Sequence, residues 1–223
     1  MASHVPDFFY KEALRLRYVA RSAFKLVEIQ EKHRILKPGA AILDLGCAPG
    51  AWLQVACQNL GTRDQGGVVV GVDTKKINVP GDHTDHRVKA IAADVMKIKP
   101  ETLAAMTPEV KITYNVILSD MCPSVSGIGF KDATLSAELG SRALELALGF
   151  HPDDERDSTK KVNGLLVPSG SLVIKLLEGE ESQGFPDYCN KYFRSVSWLR
   201  PKASRSTSRE IYLIAKGRNR CQT

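Results

Sequence analysis

No run of apolar residues in the 223-residue chain approaches the ~18 that a membrane-spanning helix requires, so no membrane span is expected. Residues 1–9 lack both the apolar core of a signal peptide and the Arg- and Ser-rich composition of an organellar presequence, which leaves cytoplasm and organelle (mitochondrion or plastid) open. Cysteines are few. The five, at 47, 57, 122, 189 and 221, form no C-x-x-C pair and stand near no clustered histidines, so neither a zinc site nor a disulfide framework is expected. A reducing compartment fits, with Cys47 and Cys57 packed as small apolar groups. No metal is expected, and the chain has no internal repeats. One soluble domain over 1–223, a monomer, is the simplest reading of this length.

Against these absences stands one dense stretch, Ala41-Ile42-Leu43-Asp44-Leu45-Gly46-Cys47-Ala48-Pro49-Gly50-Ala51-Trp52. An apolar run ends in an acid and passes through a glycine-bearing turn into a helix. The run reads as a buried parallel strand, and the glycines as sites where backbone approaches a ligand that a Cβ would strike. A second strand over 67–73 ends in Asp73, placed to grip a ribose diol, and a third over 88–93 ends beside Asp94, placed to accept from an adenine amino group. Carboxylates also end strands and cap helices for structural reasons. Three at successive strand ends beside this turn favour a ligand.

Two nucleotide signatures are missing from the turn. The middle glycine of G-x-G-x-x-G is absent, which disfavours NAD, and Ala51-Trp52 stands where a triphosphate loop carries Gly-Lys-Ser/Thr, which disfavours ATP. A phosphate-free nucleoside remains, and S-adenosylmethionine fits.

Strand and helix signals alternate along the rest of the chain. One basic helix is predicted over 10–32, within a basic N-terminal helical segment 1–33. Helices near 52–60, 101–106, 134–150 and 182–192 and strands at 115–119, 171–176, 196–199 and 210–215 follow, the last two pairing as an antiparallel edge. The polar run 152–163 reads as an exposed insert. The pattern predicts a doubly wound α/β sheet.

Ser119-Asp120-Met121-Cys122-Pro123 follows the strand next to the first, where substrate meets cofactor. The Asn/Asp-Pro-Pro-aromatic turn of base-amine methyltransferases is absent there. Lys175 lies inside an apolar strand, which calls for a carboxylate partner or a catalytic role unless that strand is an exposed edge.

Arg21-Ser22-Ala23-Phe24-Lys25-Leu26, the 44–52 turn, Leu118-Ser119-Asp120-Met121, Val173-Ile174-Lys175 and Ser208-Arg209-Glu210-Ile211-Tyr212 together resemble the FtsJ family of RNA ribose 2′-O-methyltransferases. The resemblance covers almost the whole chain in order. It implies a Rossmann-like class I methyltransferase sheet of seven strands, mostly parallel with the last antiparallel. It also implies a catalytic tetrad of Lys25, Asp120, Lys175 and Glu210. The cofactor site it implies comprises Gly46, Gly50, Trp52, Asp73, Asp94 and Asp120, with Asp44, Cys47, Pro49 and Val95 as further members. Three departures stand out: Cys47 where alanine is usual, Ala51 where glycine is frequent, and the longer 152–163 run.

A net charge of +6 suits a nucleic-acid partner. Arg15, Arg17 and Arg21 near one chain end and Lys202, Arg205 and Arg209 near the other are the expected RNA contacts. Within the family the compact bacterial and organellar type is closest, which points to large-subunit rRNA or its precursor particle, with tRNA second. A non-catalytic RNA-binding assembly factor and a small-molecule O-methyltransferase are the alternatives. Lys175 is read either as a base, its proton affinity lowered by Lys25, or as an ammonium held by Asp120 and Glu210 that stabilises an alkoxide.

Overall fold

The computed structural model describes residues 8–107, 113–124, 126–150 and 164–220; the 152–163 run lies outside them. The helices are α1 (Phe8–Arg15), α2 (Ala23–His33), α3 (Ala51–Gln58), α4 (Pro100–Ala104), α5 (Gly129–Leu148) and α6 (Glu180–Tyr192). The strands are β1 (Ala41–Leu45), β2 (Val68–Asp73), β3 (Val88–Ala92), β4 (Tyr114–Ser119), β5 (Leu166–Leu177), β6 (Phe193–Leu199) and β7 (Glu210–Arg218). They form one seven-stranded sheet in the order β3-β2-β1-β4-β5-β7-β6. The first five run parallel, and β7 is antiparallel to both β5 and β6, as the alternating pattern and the resemblance predict.

Why the central strands read as unbroken apolar runs is visible in the two cores. Side chains alternate between faces along a strand, and here both faces are covered, so neither set can be polar. Ile42, Val69, Val116 and Val173 pack with α2 and α3 on one face, through Leu26, Ile29, Leu53 and Val55. Leu43, Val70, Ile117 and Ile174 pack with α5 and α6 on the other, through Leu144, Ala147, Phe185 and Cys189. Leu26 and Ile29 are fully buried, at about 1.5–3 kcal/mol each for the apolar surface removed from water. That burial fixes α2 against the sheet and with it Lys25, on the same helix.

The single helix expected over 10–32 is two helices. Arg17 adopts a left-handed conformation (φ 59°), and the buried amide of Gln54 on α3 clamps the break, accepting from Val19 N–H at 2.9 Å and donating to Arg17 O at 2.9 Å. No glycine or proline marks this break, so periodicity runs straight through it. The expected 134–150 helix begins earlier, at Gly129, and ends at Leu148, where Gly149 (φ 90°) reverses the chain and returns its N–H to Glu145.

Candidate active site

β4, β5 and β7 bring three of the tetrad residues together at one end of the sheet, and α2 supplies the fourth. Asp120 follows the last residue of β4, Lys175 lies near the end of β5, and Glu210 opens β7. In the antiparallel β5–β7 register Lys175 faces Tyr212 and Leu177 faces Glu210, so Lys175, Tyr212 and Glu210 share one face of the sheet. Lys25 reaches down onto that face. Its Nζ lies 2.7 Å from Glu210 Oε2, while Glu210 Oε1 lies 3.8 Å from Lys175 Nζ. Lys175 Nζ is 3.1 Å from Asp120 Oδ1 and donates to the Asp120 carbonyl at 2.5 Å. The four residues form an unbroken chain of contacts.

Both lysines are buried, 8 % exposed at Lys25 and 5 % at Lys175, which excludes the exposed-edge reading of Lys175. Burial works against its ammonium, yet the facing Asp120, with Cys122 and Glu210, outweighs burial and raises the pKa above the ordinary lysine value. The carboxylates win, so Lys175 is an ammonium in the resting protein. Glu210 shows the mirror case: burial favours its neutral form, but Lys25 and Lys175 hold the carboxyl below its usual range. The strand-edge alternative for Glu210, pairing with Arg205 or Arg209, is not what the structure contains.

Tyr212 was not anticipated as part of the site. It is fully buried and donates its hydroxyl to Asp120 Oδ1 at 2.7 Å, and Lys25 Nζ stands 5.9 Å over its ring. The available signal was its spacing, two residues beyond Glu210 on one strand.

A cleft of about 530 Å³ adjoins the tetrad and is lined by Gly46, Asp73, Asp94, Val95, Asp120 and Lys175, together with Met96, Cys122 and Leu139. Asp73 accepts from Ala48 N–H and Lys75 N–H, both at 2.9 Å, and so joins the β1 turn to the β2 end. Asp94 accepts from Met96 N–H at 3.0 Å. Each carboxylate retains acceptor capacity. Asp44 is fully buried, and neither of its oxygens has a hydrogen-bond partner among the described residues. Burial pushes its pKa well above the ordinary value, with Asp120 and Asp73 adding to the shift. Asp44 itself does not line the cleft; it lies near enough to Asp120 and Asp73, which do, to feel their charges.

Cys47, Pro49, Gly50 and Trp52 do not line the cleft. Trp52 is buried, donates its indole N–H to Ser22 O at 2.9 Å and ties α3 to the start of α2. The Cys47 sulfur packs over Gly71, and burial raises its thiol pKa. The two turn glycines are also closely packed by the protein itself. A Cβ on Gly46 would stand 2.9 Å from the backbone of Met121, and one on Gly50 2.8 Å from the Pro80 ring; both residues have positive φ. Close packing of the protein on itself already requires glycine at both positions, and Gly46 in addition lines the cleft.

Of the expected RNA contacts, Arg21 lies near enough to Glu210 and to Arg205 to feel their charges, and donates to Ala203 O at 2.6 Å. Arg209 donates to Gly129 O at 2.9 Å. Arg15 pairs with Glu12 and Arg17 with Asp82. The side chain of Lys202 is exposed, while its N–H is held by Glu28.

The profile of the family FtsJ-like methyltransferase matches residues 18–218. Ribosomal RNA large subunit methyltransferase E of Desulfosudis oleivorans is 36 % identical over 94 % of this chain and 89 % of its own length. The protein of the same name from Syntrophobacter fumaroxidans is 37 % identical over 96 % of both chains. Among solved structures, a ribosomal RNA methyltransferase from Plasmodium falciparum superposes with a TM-score of 0.68 at 24 % identity, covering 90 % of this chain and 98 % of that one, which supports the fold. With a family profile spanning nearly all of its length and relatives this close, the chain belongs to the FtsJ-like methyltransferase family.

Proposed function

We propose that this protein methylates a ribose 2′-hydroxyl of large-subunit ribosomal RNA, using S-adenosylmethionine. The observation that carries the reading is the contact chain Lys25–Glu210–Lys175–Asp120 at the edge of the acid-lined cleft. The names of the relatives support the RNA class.

Gly46, Asp73, Asp94 and Val95 would hold the cofactor, with Asp44 beneath them; when bound, it supplies an electrophilic sulfonium methyl. A ribose hydroxyl is a weak nucleophile, so the protein must orient it and stabilise the oxygen as its proton leaves. Lys175 acts as a fixed ammonium aimed at that oxygen. Asp120 and Glu210 keep it charged and immobile, and Lys25 keeps Glu210 ionised. The hydroxyl proton passes to Asp120 or to water. A donor preorganised at a developing oxyanion is worth about 10²–10³ in rate.

The test is transfer of label from S-adenosylmethionine to size-fractionated total RNA, followed by alkaline hydrolysis, with Lys175→Ala alongside. Alkali-resistant label in large-subunit rRNA, lost in the variant, is the expected result. Label in the tRNA fraction would move the substrate; label that alkali releases would exclude ribose methylation.

A further inference from the structure

Phe130 is the most exposed large apolar side chain among the described residues, at 74 %, and Ile128, at 62 %, stands two residues before it. Apolar side chains exposed singly are ordinary on protein surfaces. These two share one turn at the start of α5, and the turn is tied to the active site at both ends. Upstream, the same connection begins with Met121, Cys122, Pro123 and Ser124, which line the cleft. Downstream, Gly129 O accepts from Arg209, the residue next to Glu210.

The turn is also held in shape. Asp132, 2 % exposed, accepts from Ser126 N–H at 2.8 Å, from the Ser126 hydroxyl at 2.7 Å and from Gly127 N–H at 3.1 Å. Its charged form is favoured by those bonds. A large ring is therefore presented to solvent from a braced loop, with Lys131 exposed beside it and Arg209 bonded to the neighbouring Gly129 carbonyl.

What occupies such a surface follows from the depth of the tetrad. Lys175 is only 5 % exposed, so a ribose that reaches it must leave the regular stack of its strand. The neighbouring base then loses a stacking partner. An aromatic face next to phosphate-binding cations replaces that partner in single-stranded RNA recognition. We propose that Phe130, flanked by Ile128, is the stacking platform for the base adjacent to the methylated nucleotide. This inference rests on the ribose-methylation reading above.

The test is steady-state methyl transfer to deproteinised large-subunit rRNA by the wild type, Phe130→Ala, Phe130→Leu, Phe130→Trp and Arg209→Ala, with thermal unfolding of each. Loss of one stacking contact predicts a rise in KM for RNA of about five- to a hundredfold in Phe130→Ala. KM for S-adenosylmethionine and the salt dependence stay as in wild type. Trp restores the RNA KM and Leu does not, because stacking needs a π face. Arg209→Ala, in contrast, flattens the salt dependence. If the wild type transfers label and Phe130→Ala matches it, or if Leu restores KM as well as Trp, the platform is wrong while the methylation reading stands. If the wild type labels neither that RNA nor the large-subunit particle, the methylation reading falls and the platform falls with it.

Discussion

Tyr212 and Lys175 converge on one oxygen: the tyrosine hydroxyl donates to Asp120 Oδ1 at 2.7 Å, and the lysine Nζ lies 3.1 Å from the same atom. Two donors on one carboxylate oxygen fix its side chain and leave the second oxygen to accept elsewhere. Tyr212→Phe removes one of them from a buried setting without changing shape. It should cost about 1–1.5 kcal/mol of stability, read by urea unfolding. It should also lower kcat about tenfold as Asp120 loosens, equivalent to ~1.4 kcal/mol of barrier. An unchanged kcat in a folded variant would remove Tyr212 from the machinery.

The charge state of Lys175 separates the two roles open to it. Because its facing acids raise its pKa above 10.5, it is protonated across the physiological range. Arg is always protonated, whereas Met has the bulk without the charge. Lys175→Arg should therefore keep at least about tenfold more activity than Lys175→Met, or ~1.4 kcal/mol of transition-state stabilisation. The wild-type rate should show no rising limb that depends on lysine deprotonation between neutrality and 10.5. An Arg variant as dead as the Met variant would restore the base role.

The order of elements was legible because both faces of the sheet are covered, which makes β1, β2, β4 and β5 continuous apolar runs that local pattern detects. The break between α1 and α2 was not, because it depends on Gln54, an amide 37 residues from the Arg17 carbonyl it holds. The same division runs through the site. Lys175 declared itself by sitting charged in an apolar strand, and the resemblance pointed to its partners. Trp52 and Gly50 stand apart from the cleft lining, and their packing against Ser22 and Pro80 calls for the same residue types as ligand contact would. Tyr212 looks like any buried strand aromatic until the β5–β7 register sets it opposite Lys175.

Glu210 joins two buried ammonium groups, so its loss should register in stability as well as rate. Its folded pKa lies below the ordinary 4.5, and a depressed carboxyl stabilises above its unfolded value and ceases to as pH falls through the folded one. Glu210→Gln should be less stable than wild type at pH 7, by up to about 3 kcal/mol, the low end for a broken buried pair because Lys175 keeps Asp120. The difference should shrink as pH falls below 4.5, where the wild-type carboxyl is neutralised as well. Parallel unfolding curves at pH 7 and in acid would contradict the pairing.

Asp44 carries the opposite sign. Its folded pKa is raised well above 3.8, so the folded protein holds a proton that the unfolded chain has released, and stability declines as pH climbs from 3.8 toward the folded value. Asn is close in size and has no charge to lose. Asp44→Asn should flatten that decline in the free protein, measured as denaturant midpoints across pH 5 to 9. The same substitution should weaken S-adenosylmethionine binding by calorimetry, because an amide, unlike the acid, cannot ionise to meet a cationic ligand. The two effects run in opposite directions, and general damage to the fold cannot produce both. A variant less stable than wild type at every pH, or one that binds the cofactor with undiminished affinity, would leave Asp44 a packing residue with no part in the cofactor site.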